Sequence, residues 1–225
     1  MIKTIIIVIS VFLILTGFKT YKFLKENIKK IPKVSFEEQL KSYDKLGYKL
    51  NNGITKQTLL ESYDKSDFED DTWVLMYVTL GSTIEKEPWT PITNECWHFD
   101  AECIEDNGSY TDIIENIKRI SKDKLNFENI KDFVDIDNEK AWVSFELNGK
   151  KYKWDLRVDN DWVDGSLFDK IRVLNSELNN SEKLTFYGLG QDAVIDYMSE
   201  KEMSEFKKIT SIRIKWLNGI KDIGE

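Results

Sequence analysis

Hydrophobic positions change their spacing several times along this chain, and each change predicts an element. From Thr4 to Phe18 no residue is charged, and Ile5, Ile6, Ile7, Val8, Ile9, Val11, Phe12, Leu13, Ile14 and Leu15 form one apolar block. Beyond residue 33 the spacing becomes three to four, as on one face of a helix. The stripes are Phe36, Leu40 and Tyr43; Ile113, Ile114, Ile117 and Ile120; Leu167, Ile171, Leu174 and Leu178; and Met203 with Phe206. Each is opened by a Ser with an acid three residues later: Ser35 and Glu38, Ser109 and Asp112, Ser166 and Asp169, Ser199 and Glu202. In that pattern the two side chains satisfy backbone donors that a helix start leaves unpaired. Gly47 provides a stop, and a further short helix is expected around Leu59, Leu60 and Tyr63.

Elsewhere the period drops to two. Residues 141–147 and 150–158 flank Asn148-Gly149, a dipeptide suited to the positive φ angles of a two-residue hairpin turn. That turn pairs Leu147 with Lys150, so Phe145 meets Tyr152 and Val143 meets Trp154 on one face. Glu146 meets Lys151 and Ser144 meets Lys153 on the other, a charged face opposite an apolar one. Further strands are expected at 72–80, 95–104, 183–187, 192–197 and 211–217. The reading is one α+β domain over 34–225, with a mainly antiparallel sheet and four to five short helices, preceded by one N-terminal transmembrane helix.

The N-terminal block is short for a membrane span. Fifteen helical residues cover about 22 Å of a ~30 Å hydrocarbon core. Lys3 and Lys19 could snorkel, and Tyr21, Phe23 and Leu24 could extend the contact to residues 4–24. The rival reading is a cleaved signal peptide, but no small-x-small pair follows the block. Leu15-Thr16-Gly17-Phe18 has the layout of a lipoprotein lipobox with Phe18 where the lipidated Cys would stand. Residues 1–33 therefore read as an uncleaved anchor with a Lys-rich helical stem at 19–33, ended by Pro32.

Charge sharpens this picture. The first 33 residues hold seven Lys against Glu26 alone, and the remaining 25 basic and 39 acidic residues leave 34–225 at −14. A body this acidic repels nucleic acid and attracts basic proteins. Lys19, Lys22, Lys25, Lys29, Lys30 and Lys33 follow the apolar block, and the positive-inside rule puts the domain on the cytoplasmic face. N-terminal signal anchors more often export the domain behind them, so the opposite side stays open. Cys96 and Cys103 are too far apart along a strand or a helix to bond unless the chain turns back between them. Two free thiols suit a reducing compartment.

Candidate chemistry is sparse. Ser-His or Cys-His catalysis would require His98, the single His. If 95–103 is a strand, Cys96, His98, Asp100 and Glu102 share one face, a ladder of metal-capable groups whose neighbours are ~7 Å apart. Closing a metal site would need help from another strand. Asp135, Asp137, Glu139 and Glu146 match part of an EF-hand spacing, but Lys140 stands where the turn needs Gly. Gly188-Leu-Gly190-Gln-Asp-Ala193 imitates a dinucleotide fingerprint with too little chain after it for the fold, and reads as a loop between strands. The densest acidic patch, Asp159, Asp161 and Asp164 around Trp162, suits either a turn or a contact for a basic partner. Trp142, on the polar hairpin face opposite Asp155, is a second candidate contact unless a helix covers it.

These features describe a membrane-tethered, non-catalytic binding protein with a basic protein partner, no cofactor and no nucleic acid. In general layout the small acidic α+β body resembles bacterial immunity proteins of toxin competition systems, and the resemblance implies inhibition of a basic toxin. The alternatives are a metal-dependent enzyme or sensor centred on His98, Asp100 and Glu102, and an envelope protein holding glycans with exposed Trp.

Overall fold

The computed structural model describes residues 32–218. The expected N-terminal transmembrane helix and most of the stem lie outside that range. Among the described residues no helix is long and apolar enough to cross a membrane.

The described chain is α+β with antiparallel sheets. In order it runs α1 (Phe36–Lys45), α2 (Lys56–Leu59), α3 (Lys65–Asp70), α4 (Val74–Gly81), β1 (Cys96–Asp100), α5 (Ser109–Ile120), β2 (Phe127–Asp135), β3 (Lys140–Leu147), β4 (Lys150–Leu156), α6 (Ser166–Glu177), β5 (Lys183–Gly188), β6 (Asp192–Met198), α7 (Glu200–Thr210) and β7 (Lys215–Trp216). A four-stranded sheet has the order β1-β6-β5-β7 and a three-stranded sheet the order β2-β3-β4. Among the described residues seven helices stand where four to five were expected, and the expected single sheet is two.

The four-stranded sheet is the middle layer, because side chains alternate across a strand and both of its faces are covered. Ile195 and Tyr197 of β6 join Phe99, Leu184, α5, α6 and the three-stranded sheet in one core. Val194 and Met198 join Cys96, α1, α4 and α7 in a second core. Gln39, fully buried on α1, ties the helical layer together through backbone groups. Its Nε2 donates to the Val34 and Phe68 carbonyls at 2.7 and 2.8 Å, and its Oε1 accepts from Trp73 N–H at 2.9 Å.

The Asn148-Gly149 hairpin has the expected register at every pair from Leu147–Lys150 to Trp142–Asp155, with both turn residues at positive φ. Ser35 and Ser199 cap α1 and α7 as expected. Three expectations are corrected. Residues 72–80 are not a strand: most of the stretch is α4, and a nearly continuous apolar run has no period to separate helix from strand. Gly108 and Gly165, not Ser109 and Ser166, occupy the caps of α5 and α6, and the serines bond elsewhere. Only Lys215–Trp216 of 211–217 pairs as strand, while Ile212 and Ile214 before it are buried in the second core without regular structure. One strand was not anticipated: β2 carries a bulge between Glu128 and Lys131, which breaks the alternation that would have announced it.

Candidate functional site

β1 builds one wall of a cleft. Trp97 and Phe99 lie on the same face of the strand with ring centroids 4.7 Å apart. Past Asp100 the chain turns, with Glu102 N–H donating to Asp100 Oδ1 at 2.9 Å. The 159–164 loop docks along it: Ile104 N–H donates to the Asp161 carbonyl and Val163 N–H to the Ala101 carbonyl, each at 2.9 Å. The opposite wall is the start of α5. Its first N–H groups would be orphans, since Gly108 has no side chain to cap them. Asp132 of β2 accepts from the N–H groups of Gly108, Tyr110 and Thr111 instead, at 2.8, 2.9 and 3.1 Å. Ser109 Oγ is turned back and accepts from Glu105 and Asp106 N–H.

The resulting cleft has a volume of about 380 Å³ and is lined by Trp97, Phe99 and Cys103 together with Asp100, Glu105, Asp106 and Asp112. None of these four carboxylates forms an ion pair with a Lys, Arg or His among the described residues. The neighbouring Arg157 is engaged with Asp159 at 3.2 Å. Burial raises the Asp112 carboxyl above its ordinary value, and the negative charges of Asp132 and Asp106 add to this. Burial, with Asp100 next, pushes the Cys103 thiol up to about 12, so it is a thiol and not a nucleophilic thiolate near neutral pH. The geometry suits holding a cation, by carboxylate contacts and by the aromatic face of Trp97. It supplies no nucleophile with an adjacent base.

The residues singled out as metal candidates do not converge. Cys96 is fully buried in the second core, where its Sγ lies 3.8 Å from Thr93 Oγ1 and burial raises its thiol far above the ordinary value. His98 Nε2 is 3.4 Å from Asp192. Asp100 and Glu102 are instead joined by Gln191, whose Nε2 donates to both at 2.9 and 3.0 Å. Among the described residues no three His, Cys, Asp or Glu side chains are placed to share a metal ion. Cys96 and Cys103 are both free thiols.

The expected partner contacts fall in three places. Asp159 and Asp161 are exposed beside the cleft, and half-buried Trp162 bridges to Glu102. Asp164 is only 6% exposed and accepts from Arg157 N–H, Ser166 N–H and Ser166 Oγ, so it fastens the start of α6 and is not open to a partner. Trp142 lies elsewhere, half-buried on the outer face of the three-stranded sheet, stacked on Phe133 with Lys153 Nζ 4.2 Å from its ring. Trp97, Glu105, Asp106 and Asp112 were not among the expected site residues, and Asp112 was expected only at a helix start. Their signal was the density of acids over 100–112, spread over a strand end, a loop and a helix start that only the fold closes up.

Fold and cleft together describe a two-sheet α+β protein with an electronegative, aromatic-walled concavity. Comparison with protein-family models, with curated proteins and with solved structures gives no match.

Proposed function

We propose that this chain is a non-catalytic, membrane-tethered binding protein of the immunity type, whose acidic cleft receives a basic segment of a protein partner. One observation carries the reading: four carboxylates without described cation partners line one preformed concavity together with Trp97 and the edge of buried Phe99. A Lys or Arg side chain entering it would relieve like-charge repulsion and lie against Trp97, and the −14 charge of the body would speed the encounter. The tether is the apolar segment within residues 4–24, and the Lys-rich stem favours the cytoplasmic side.

The test is co-purification from the native host in mild detergent, comparing the natural protein with a Glu105→Gln/Asp106→Asn/Asp112→Asn variant. The expected result is a basic partner retained at low salt, released as salt rises, and lost by the variant while its circular dichroism is unchanged. Failure to retain any basic protein at low salt, or equal retention by the variant, would sink the proposal.

A further inference from the structure

On the helical side of the four-stranded sheet a carboxyl group occupies a position in the middle of a core. Asp196 lies between Val194 and Met198 of β6 and is 4% exposed. Tyr48 OH donates to its Oδ2 at 2.5 Å and the Tyr197 N–H to its Oδ1 at 2.6 Å. Both donors are neutral, and no described Lys or Arg forms an ion pair with Asp196. Its neighbours across the sheet are Cys96 on β1 and Thr185 on β5. Among the described residues the buried hydroxyl of Thr185 has no hydrogen-bond partner, and the ring of Tyr77, on α4, packs against that of Tyr48. Tyr43 of α1, Tyr187 of β5, Arg119 of α5, and Lys122 and Glu95 at the sheet margin are further titratable or charged groups around these side chains. An isolated carboxylate without a cation is among the costliest groups a core can hold.

Asp196 is one of the residues lining a pocket of about 70 Å³, together with Tyr48 and the apolar Leu46, Met198 and Phe206. At its mouth three acids, Glu95, Glu202 and Glu205, outnumber Lys45 and Lys122, and Lys122 lies 4.0 Å from Glu95. At about half the ~150 Å³ of a cavity that takes up benzene, the space suits an ammonium head on a short aliphatic stem. It lies on the opposite face of β1 from Trp97 and Phe99 and is independent of the cleft.

We propose that this pocket binds a compact organic cation, a primary ammonium on a short aliphatic stem, with the head on Asp196 and the stem between Met198 and Phe206. The cation supplies the missing countercharge, and Tyr48 OH remains bonded to the carboxylate. Binding requires Asp196 to be ionised. Burial pushes its carboxyl up to about 7, against the lowering influence of its bonds to Tyr48 and Tyr197 N–H. Below that pH the bound cation displaces one proton to solvent. A free amine and a lysine side chain offer the same head, and ethylammonium and N-acetyl-lysine amide serve as separate probes.

Isothermal titration of the full-length protein tests this, with tetramethylammonium chloride at equal ionic strength as the control. At least one of the two probes should bind saturably, with affinity rising about thirtyfold between pH 5.5 and pH 8. At pH 6 the heat should scale with the ionisation enthalpy of the buffer, reporting the released proton. Asp196→Asn keeps an acceptor for Tyr48 but cannot ionise, and should abolish saturable binding. No saturable binding of either probe at pH 8, affinity independent of pH, or equal binding of tetramethylammonium overturns the proposal. Should the Asn variant not fold, proton release by the unaltered protein decides.

Discussion

A buried acid makes stability depend on pH in a direction opposite to that of a salt-bridged one. The Asp196 carboxyl titrates near 3.8 when exposed and is raised to about 7 in the fold. The folded chain therefore holds that proton more tightly than the unfolded chain does. Its contribution is fully present below about pH 4 and is lost as pH rises through about 7. Asp196→Asn removes this slope. Its stability relative to the natural protein should improve by about 2–4 kcal/mol between pH 4 and pH 8, read from urea unfolding at each pH. A difference that stays constant over that range would mean that Asp196 is ionised throughout. Nothing in the local sequence marks this residue, because Ala-Val-Ile-Asp-Tyr-Met reads as one more strand with a polar position facing water. The covering helices make that position a core position.

Among the elements, the hairpin and the helix starts show two kinds of determinism. The β3–β4 register follows from a two-residue turn and alternating polarity, both contained within 17 residues of chain. Ser199 and Glu202 cap α7 reciprocally, again a local matter. α5 differs, because its start is satisfied from another element by Asp132 of β2. Asp132→Ala should therefore cost about 2 kcal/mol, and Ser109→Ala well under half of that. Chemical denaturation of the two variants checks the order, and equal costs would restore Ser109 as the functional cap. α4 shows the limit of pattern reading most clearly. Gly81 at its end approaches β1 so closely that an added Cβ would lie 2.7 Å from the His98 nitrogen, a constraint invisible in Trp-Val-Leu-Met-Tyr-Val-Thr-Leu.

For the whole molecule, the excess of acid is a global term. With 34–225 at −14, compaction brings like charges together, most of all around the cleft. Raising ionic strength from about 20 mM to about 300 mM shortens the reach of that repulsion and should raise the melting temperature of the full-length chain. A fall would show that its ion pairs, such as Lys124 with Glu182, outweigh the repulsion. The cleft that concentrates this charge was partly legible in advance. Asp100, Asp159, Asp161 and Trp162 stood out, but Asp164 proved to be an internal fastening of α6. The sequence by itself determined the α+β class, the hairpin register, two helix caps and the acidic character of the body, because periodicity, turn chemistry and charge act over a few residues or over all of them. Tertiary structure alone decided that Trp97 and Phe99 face Glu105, Asp106 and Asp112, that Asp132 caps α5, and that Asp196 lies between two layers. Each of those depends on which distant surfaces exclude water from which side chain, and that is settled only when the layers close.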